Sequence, residues 1–156
     1  MHTPHHSRIR IELADEAATL ALGAQLAQRL QPGLVLYLQG DLGAGKTTLV
    51  RGLLSALGYT GKVKSPTYTL LEPYHAGGLD LRHFDLYRLT SEEEWESAGF
   101  RDEFDGSRVL LVEWPEKAPG LLPAADVDIH LAISGTGRSA TLQSNTETGD
   151  RCLERF

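Results

Sequence analysis

Gly40-Asp41-Leu42-Gly43-Ala44-Gly45-Lys46-Thr47 has the form G-x-x-x-x-G-K-[ST], a glycine loop of the kind that cradles phosphate. Its flanks have the periodicities that such a loop needs. Leu34-Val35-Leu36-Tyr37-Leu38 is an uninterrupted apolar run of strand length, and the segment from Thr47 to Leu57 puts Leu49, Val50, Leu53, Leu54 and Leu57 on one helical face. Strand, loop and helix follow without a gap, which predicts an α/β fold. Glycines let successive backbone N–H groups turn inward, and the helix N-terminus adds partial positive charge. Lys46 and the Thr47 hydroxyl then suit phosphate and a divalent cation.

The chain has 156 residues, enough for one domain with a substantial core, and a second domain is not expected. Its formal charge of −6 argues against a surface that grips nucleic acid by itself, because that binding draws on clustered Lys and Arg. Any RNA connection would therefore have to run through a partner. Cys152 is the single cysteine and has no disulfide partner in the chain. No apolar run approaches a signal-peptide core or membrane span, so the expected compartment is the cytoplasm. His2, His5 and His6 lie in the polar segment 1–7, which reads as a frayed terminus.

Working outward, Arg8 to Leu13 alternates as a half-buried strand, and Asp15 or a neighbour caps a helix running to about Leu30, with Ala18, Leu22, Leu26 and Leu30 as its buried stripe. Beyond the loop helix, Gly61 to Thr67 reads as a loop and Tyr68 to Tyr74 as a strand. Thr67 stands where nucleotide switches often place a residue that senses the terminal phosphate. Gly77-Gly78 turns into a second strand over Leu79 to Leu89, a hairpin that implies antiparallel pairing in the sheet. Thr90 or Ser91 caps an acidic helix from Glu92 to Ala98, and Phe100 and Phe104 pack a short turn. Ala125 to Ser134 alternates with Val127, Ile129, Leu131 and Ile133 on one face. Gly135-Thr136-Gly137 turns it into a C-terminal hairpin through Gln143. His130 belongs to the polar face. The segment from about 145 to 156 reads as a weakly ordered polar tail with a last helix over Gly149 to Phe156. The fold class predicted is a three-layer phosphate-loop fold whose mixed sheet carries antiparallel hairpins.

Two acids compete for the metal beside Thr47. Val109-Leu110-Leu111-Val112-Glu113 is an apolar strand that delivers a carboxylate at its carboxyl end, where a hard cation needs anionic oxygen. Asp85 follows the less apolar His83-Phe84. Glu113 is favoured as the metal ligand, with Asp85 nearby to orient water or a switch; which of them touches the metal directly stays open.

Four motifs together resemble the bacterial TsaE family, the small ATPases of tRNA threonylcarbamoyladenosine synthesis. They are Gly40 to Thr48, Ser65-Pro66-Thr67-Tyr68-Thr69-Leu70, His83-Phe84-Asp85-Leu86-Tyr87-Arg88-Leu89 and Val112-Glu113-Trp114-Pro115, and the likeness runs from about Glu12 to Ala140. The resemblance implies an ATP- and Mg²⁺-dependent ATPase that works with the threonylcarbamoyltransferase catalytic subunit and its paralogous partner subunit, with tRNA met only through that complex. It implies no role with DNA or membranes. It further implies that Lys46 and Thr47 bind phosphate and Mg²⁺, that Glu113 is the second metal ligand and that Asp85 is needed for hydrolysis. Thr67 would lie on the switch loop, and Glu16, Glu116 and Arg138 would lie around the nucleotide.

Rival readings have weaker support. A small-molecule kinase normally carries an Arg-bearing lid, whereas Arg82, Arg88, Arg101 and Arg108 are scattered. A GTPase needs a guanine-reading Asn-Lys-x-Asp motif, which the chain lacks. A nucleotide-gated interaction module without significant hydrolysis has the same sequence signature if Asp85 and Glu113 only hold a bound nucleotide.

Overall fold

A computed structural model describes residues 6–64, 66, 68–154 and 156. Seven strands form one sheet. In chain order they are β1 (Arg8–Leu13), β2 (Val35–Gln39), β3 (Leu71–Ala76), β4 (Leu79–Asp85), β5 (Val109–Glu113), β6 (Val127–Ser134) and β7 (Gly137–Ser144). The helices are α1 (Glu16–Ala27), α2 (Lys46–Ala56), α3 (Glu92–Ser97) and α4 (Glu147–Cys152), with short 3₁₀ turns at Phe100–Glu103 and Pro115–Lys117.

The spatial order is β1-β7-β6-β2-β5-β4-β3. Strands β6, β2, β5 and β4 are parallel neighbours, and the hairpins β6–β7 and β3–β4 plus the β1–β7 pair add antiparallel margins. A parallel strand buried on both faces must be apolar throughout, as β5 is: all five of its residues are buried. The sheet's two faces have separate cores. Leu36, Leu38, Leu81, Val109 and Leu111 pack with α1 and α2 on one side. On the other, Val35, Phe84, Leu110 and Val112 pack with Trp95 and Phe100. Helices on both faces make the three layers expected.

Asp15 caps α1 by accepting from the Ala18 amide at 2.9 Å. The helix ends at Ala27, three residues before Leu30, which only borders the core. Tyr68 does not open a strand. It is exposed in a turn that ends at Leu70, whose φ of 64° is left-handed, so β3 starts at Leu71. The second strand of that hairpin stops at Asp85 rather than at Leu89. Val127, Ile129 and Leu131 of the alternating β6 face are buried, whereas Ile133, next to the end of that strand, is 61% exposed. The segment after Asn145 forms α4 from Glu147, capped by the Thr146 hydroxyl, and inserts Cys152 and Leu153 into the core. Thr67 and Ser65 lie outside the described residues. Among the described residues no helix is long and apolar enough to cross a membrane.

Candidate active site

The carboxyl ends of β2, β5 and β4 lie side by side at one edge of the sheet, because the three strands are parallel neighbours. Ligand sites of open α/β sheets form at this edge. The loop Gly40 to Gly45 leaves β2 there and enters α2 through Gly45, whose φ of 104° suits glycine alone among common residues. Gly40 has a second constraint: a Cβ on it would lie 2.3 Å from the Leu131 carbonyl oxygen. Ala44 is buried, whereas Leu42 is 65% exposed at the rim.

A cavity of about 450 Å³ opens beside this loop. Gly43, Gly45, Lys46, Thr47 and Thr48 form one wall, and Asp85, Tyr87, Arg88, Glu113 and Trp114 form the other. Register explains why the two acids meet. Asp85 pairs with Glu113 across the parallel β4–β5 ladder, so both side chains stand on the α2 side of the sheet.

Lys46 is 5% exposed, with its Nζ donating to the Gly40 carbonyl and standing 3.7 Å from the centre of the Trp114 ring. Burial pushes its ammonium below its ordinary value, against the pull of Glu113, Asp85, Glu116 and Asp41. Trp114 itself has φ 58°, a left-handed conformation that costs a non-glycine residue roughly 1–3 kcal/mol. It packs on Tyr87 with centroids 4.9 Å apart.

Glu113 is 2% exposed. Its Oε2 accepts from Thr47 Oγ1 at a long 3.4 Å and contacts His83 Nε2 at 2.5 Å. Asp85 accepts from the Tyr87 amide at 3.1 Å through Oδ1, and its own amide donates to the Leu70 carbonyl at 3.0 Å. Burial raises the Asp85 carboxyl above the usual range. The Tyr87 amide opposes this, and the charge of Glu113 adds to it.

The donor set suits Mg²⁺ better than an all-protein metal cage. Among the described residues no three His, Cys, Asp or Glu side chains converge on one point. One buried carboxylate beside a Thr hydroxyl and a phosphate loop is the pattern of a cation held partly by protein and partly by phosphate oxygen.

The remaining candidates border the loop at two places. Asp15, Glu16, Thr19, Thr48 and Arg138 line a second cavity of about 210 Å³ on the far side of Gly43 and Gly45. Arg138 reaches it because β7 runs antiparallel to β6 and so begins at this edge; its guanidinium donates to the Gly43 carbonyl at 2.9 Å. Glu16 lies 3.7 Å from Arg51. Glu116 and Asp41 line a third hollow with Gly40 and Trp114.

Sequence reasoning did not single out His83, Tyr87, Arg88 or Trp114 by role. A signal was present for His83: two positions before Asp85 on a strand, it must share the face that carries the acids.

A family model described as "Threonylcarbamoyl adenosine biosynthesis protein TsaE" matches residues 13–140. A tRNA threonylcarbamoyladenosine biosynthesis protein TsaE from Haemophilus influenzae is 42% identical over 149 residues, covering 92% of this chain and 94% of its own. The TsaE protein of Bacillus subtilis is also 42% identical, over 75% of this chain and 73% of its own. A solved structure described as the crystal structure of Bacillus subtilus YdiB superposes with a TM-score of 0.80 at 29% identity, covering 97% of this chain and 95% of that one. With the fold shared over nearly the whole chain and the family model spanning the loop, both acids and Arg138, the chain belongs to the TsaE family of tRNA threonylcarbamoyladenosine biosynthesis proteins.

Proposed function

We propose that this chain binds ATP with Mg²⁺ at Gly40 to Thr48 and hydrolyses it. In this reading hydrolysis sustains turnover of the complex that transfers the threonylcarbamoyl group to the adenosine beside the anticodon. The observation that carries it is the shared cavity: phosphate-loop lysine and threonine on one wall, two paired carboxylates on the other.

Thr47 Oγ1 and Glu113 would hold the cation, which when bound neutralises charge developing on phosphate oxygens. Lys46 supplies fixed positive charge in a site where burial strengthens it. Asp85 keeps one oxygen on the Tyr87 amide and leaves Oδ2 for the attacking water. A carboxyl raised by burial is also a better proton acceptor than an ordinary one. Glu16 and Arg138 border one flank of the loop and Glu116 another, and in this reading all three lie around the nucleotide. The partners in this reading are the threonylcarbamoyltransferase catalytic subunit and its paralogous subunit, in the cytoplasm, with tRNA reached through them.

Lys46→Ala is expected to abolish ATP binding. Asp85→Ala and Glu113→Ala should retain ATP affinity and lose hydrolysis by roughly 100-fold or more. Phosphate release and equilibrium binding of labelled ATP check both statements; full turnover in Lys46→Ala would sink the site. Reconstitution with the partner subunits, tRNA, ATP and a threonylcarbamoyl donor tests the pathway role. Equal multiple-turnover modification when this chain is omitted would refute it.

A further inference from the structure

We propose that His83 is the positioning residue of the metal site, holding one oxygen of Glu113 so that the other is presented to the cation. This deepens the metal reading of Glu113 and rests on it.

His83 is fully buried in the middle of β4, where its neighbours on the same face are Leu81 and Asp85. An aliphatic side chain would fill that place without any polar requirement. Imidazole instead brings two nitrogens into a buried layer, and among the described residues only one of them has a partner. Nε2 meets Glu113 Oε2 at 2.5 Å, whereas Nδ1 is buried with no hydrogen-bond partner among the described residues. Leaving Nδ1 unpaired is costly, so the residue makes sense as a device for its other nitrogen. The tautomer follows from the contact. In the proposed role Glu113 is a carboxylate, which only accepts, so the hydrogen is assigned to Nε2.

The geometry gives that donation a consequence. Glu113 ends β5 with three rotatable side-chain bonds, and its Oε2 is the oxygen that both His83 and Thr47 address. Fixing Oε2 from inside the sheet fixes the carboxylate plane and leaves Oε1 as the free donor. His83 does not line the cavity, and its hydrogen-bond contact with the site is the one to Glu113. Partners that orient a ligating side chain typically change metal affinity by 10- to 100-fold when removed.

The test uses Mn²⁺ in place of Mg²⁺, with the full chain and a non-hydrolysable ATP analogue, and reads free Mn²⁺ by electron paramagnetic resonance. His83→Leu is expected to weaken Mn²⁺ binding by about 10- to 100-fold. The Gln amide nitrogen stands the same number of bonds from the backbone as Nε2, so His83→Gln should restore affinity to within about threefold. The shorter His83→Asn should behave like Leu. Affinity for the analogue in EDTA should stay within about twofold in all three. If the Leu variant does not fold, the Gln and Asn pair still decides, because a residue that only fills polar space predicts no difference between them. Equal Mn²⁺ affinity in Gln and Asn overturns the proposal, as does wild-type affinity in Leu. Glu113→Gln separates the two levels. Unchanged Mn²⁺ binding in that variant defeats the metal reading itself. Weakened binding there with no effect at His83 defeats only the positioning role.

Discussion

The ammonium of Lys46 rests between a carbonyl oxygen and the face of Trp114, two partners that hold a cation without neutralising it. The nearby carboxylates of Glu113 and Asp85 offset its charge from across the cavity. A buried positive charge without an ion-pair contact is expensive in a folded protein unless something anionic arrives, which is what a polyphosphate does. Cys152 shows the opposite use of burial, since its thiol is closed into the core and pushed up to about 11 from an ordinary 9.0, mainly by desolvation, with Arg29 opposing and Asp126 adding. The folded state therefore favours the neutral thiol. Stability from this source is complete below pH 9, falls as the unfolded thiol ionises, and is lost as pH rises through about 11. Urea midpoints of wild type should drop more steeply across that window than those of Cys152→Ala, because other groups titrate alike in both. Parallel curves would show that the thiol is not sealed.

Helices α1 and α2 owe their close packing to two glycines rather than to their leucines. A Cβ on Gly23 would come 2.3 Å from the Leu49 carbonyl oxygen, and one on Gly52 would come 2.3 Å from that of Leu20. Alanine gains about 1 kcal/mol of helix propensity over glycine, but forcing two backbones apart in a packed core costs typically 1–3 kcal/mol. Since these contacts are backbone to Cβ, strain should win. Gly23→Ala and Gly52→Ala are each expected to lower unfolding free energy by up to about 2 kcal/mol in urea titrations. Because α2 begins at Lys46, they should also weaken nucleotide binding. A gain in stability would mean that the helices separate freely. The apolar stripes of these helices are legible in the sequence and the role of the glycines is not, because a missing side chain leaves no trace in periodicity. β5 is legible to the residue, since a strand buried on both faces is an apolar run. The start of β3 is not, because Tyr68 and Thr69 favour strands and only the left-handed backbone at Leu70 shows that the chain turns there. The C-terminal helix was blurred for a simpler reason: its anchors, Cys152 and Leu153, are too few to set a period.

At the scale of the molecule, the antiparallel margins carry candidate residues to the phosphate loop. Because β7 reverses β6 and β1 reverses β7, the end of β1 and the start of β7 return to the edge where β2 ends; Leu13 faces Arg138 there, and Glu16 follows on α1. That convergence was not legible in spacing, since Glu16 and Arg138 are far apart in the chain and only the strand order unites them. Charge, by contrast, was legible from composition. Twenty-one Asp and Glu against 15 Lys and Arg leave the surface net negative, and the acidic first turn of α3 concentrates part of that charge. Phosphate contacts supply most nonspecific RNA affinity through counterion release, so a chain of this charge lacks the main source of it. The chain alone is therefore expected to retain no tRNA in filter binding at about 0.15 M salt, where screening acts over about 8 Å. Under the proposed function, retention should appear only when the proposed transferase subunits are added. Tight binding by the chain alone, weakening steeply with salt, would instead reveal a basic stripe hidden within the negative total and would place tRNA in direct contact with this protein.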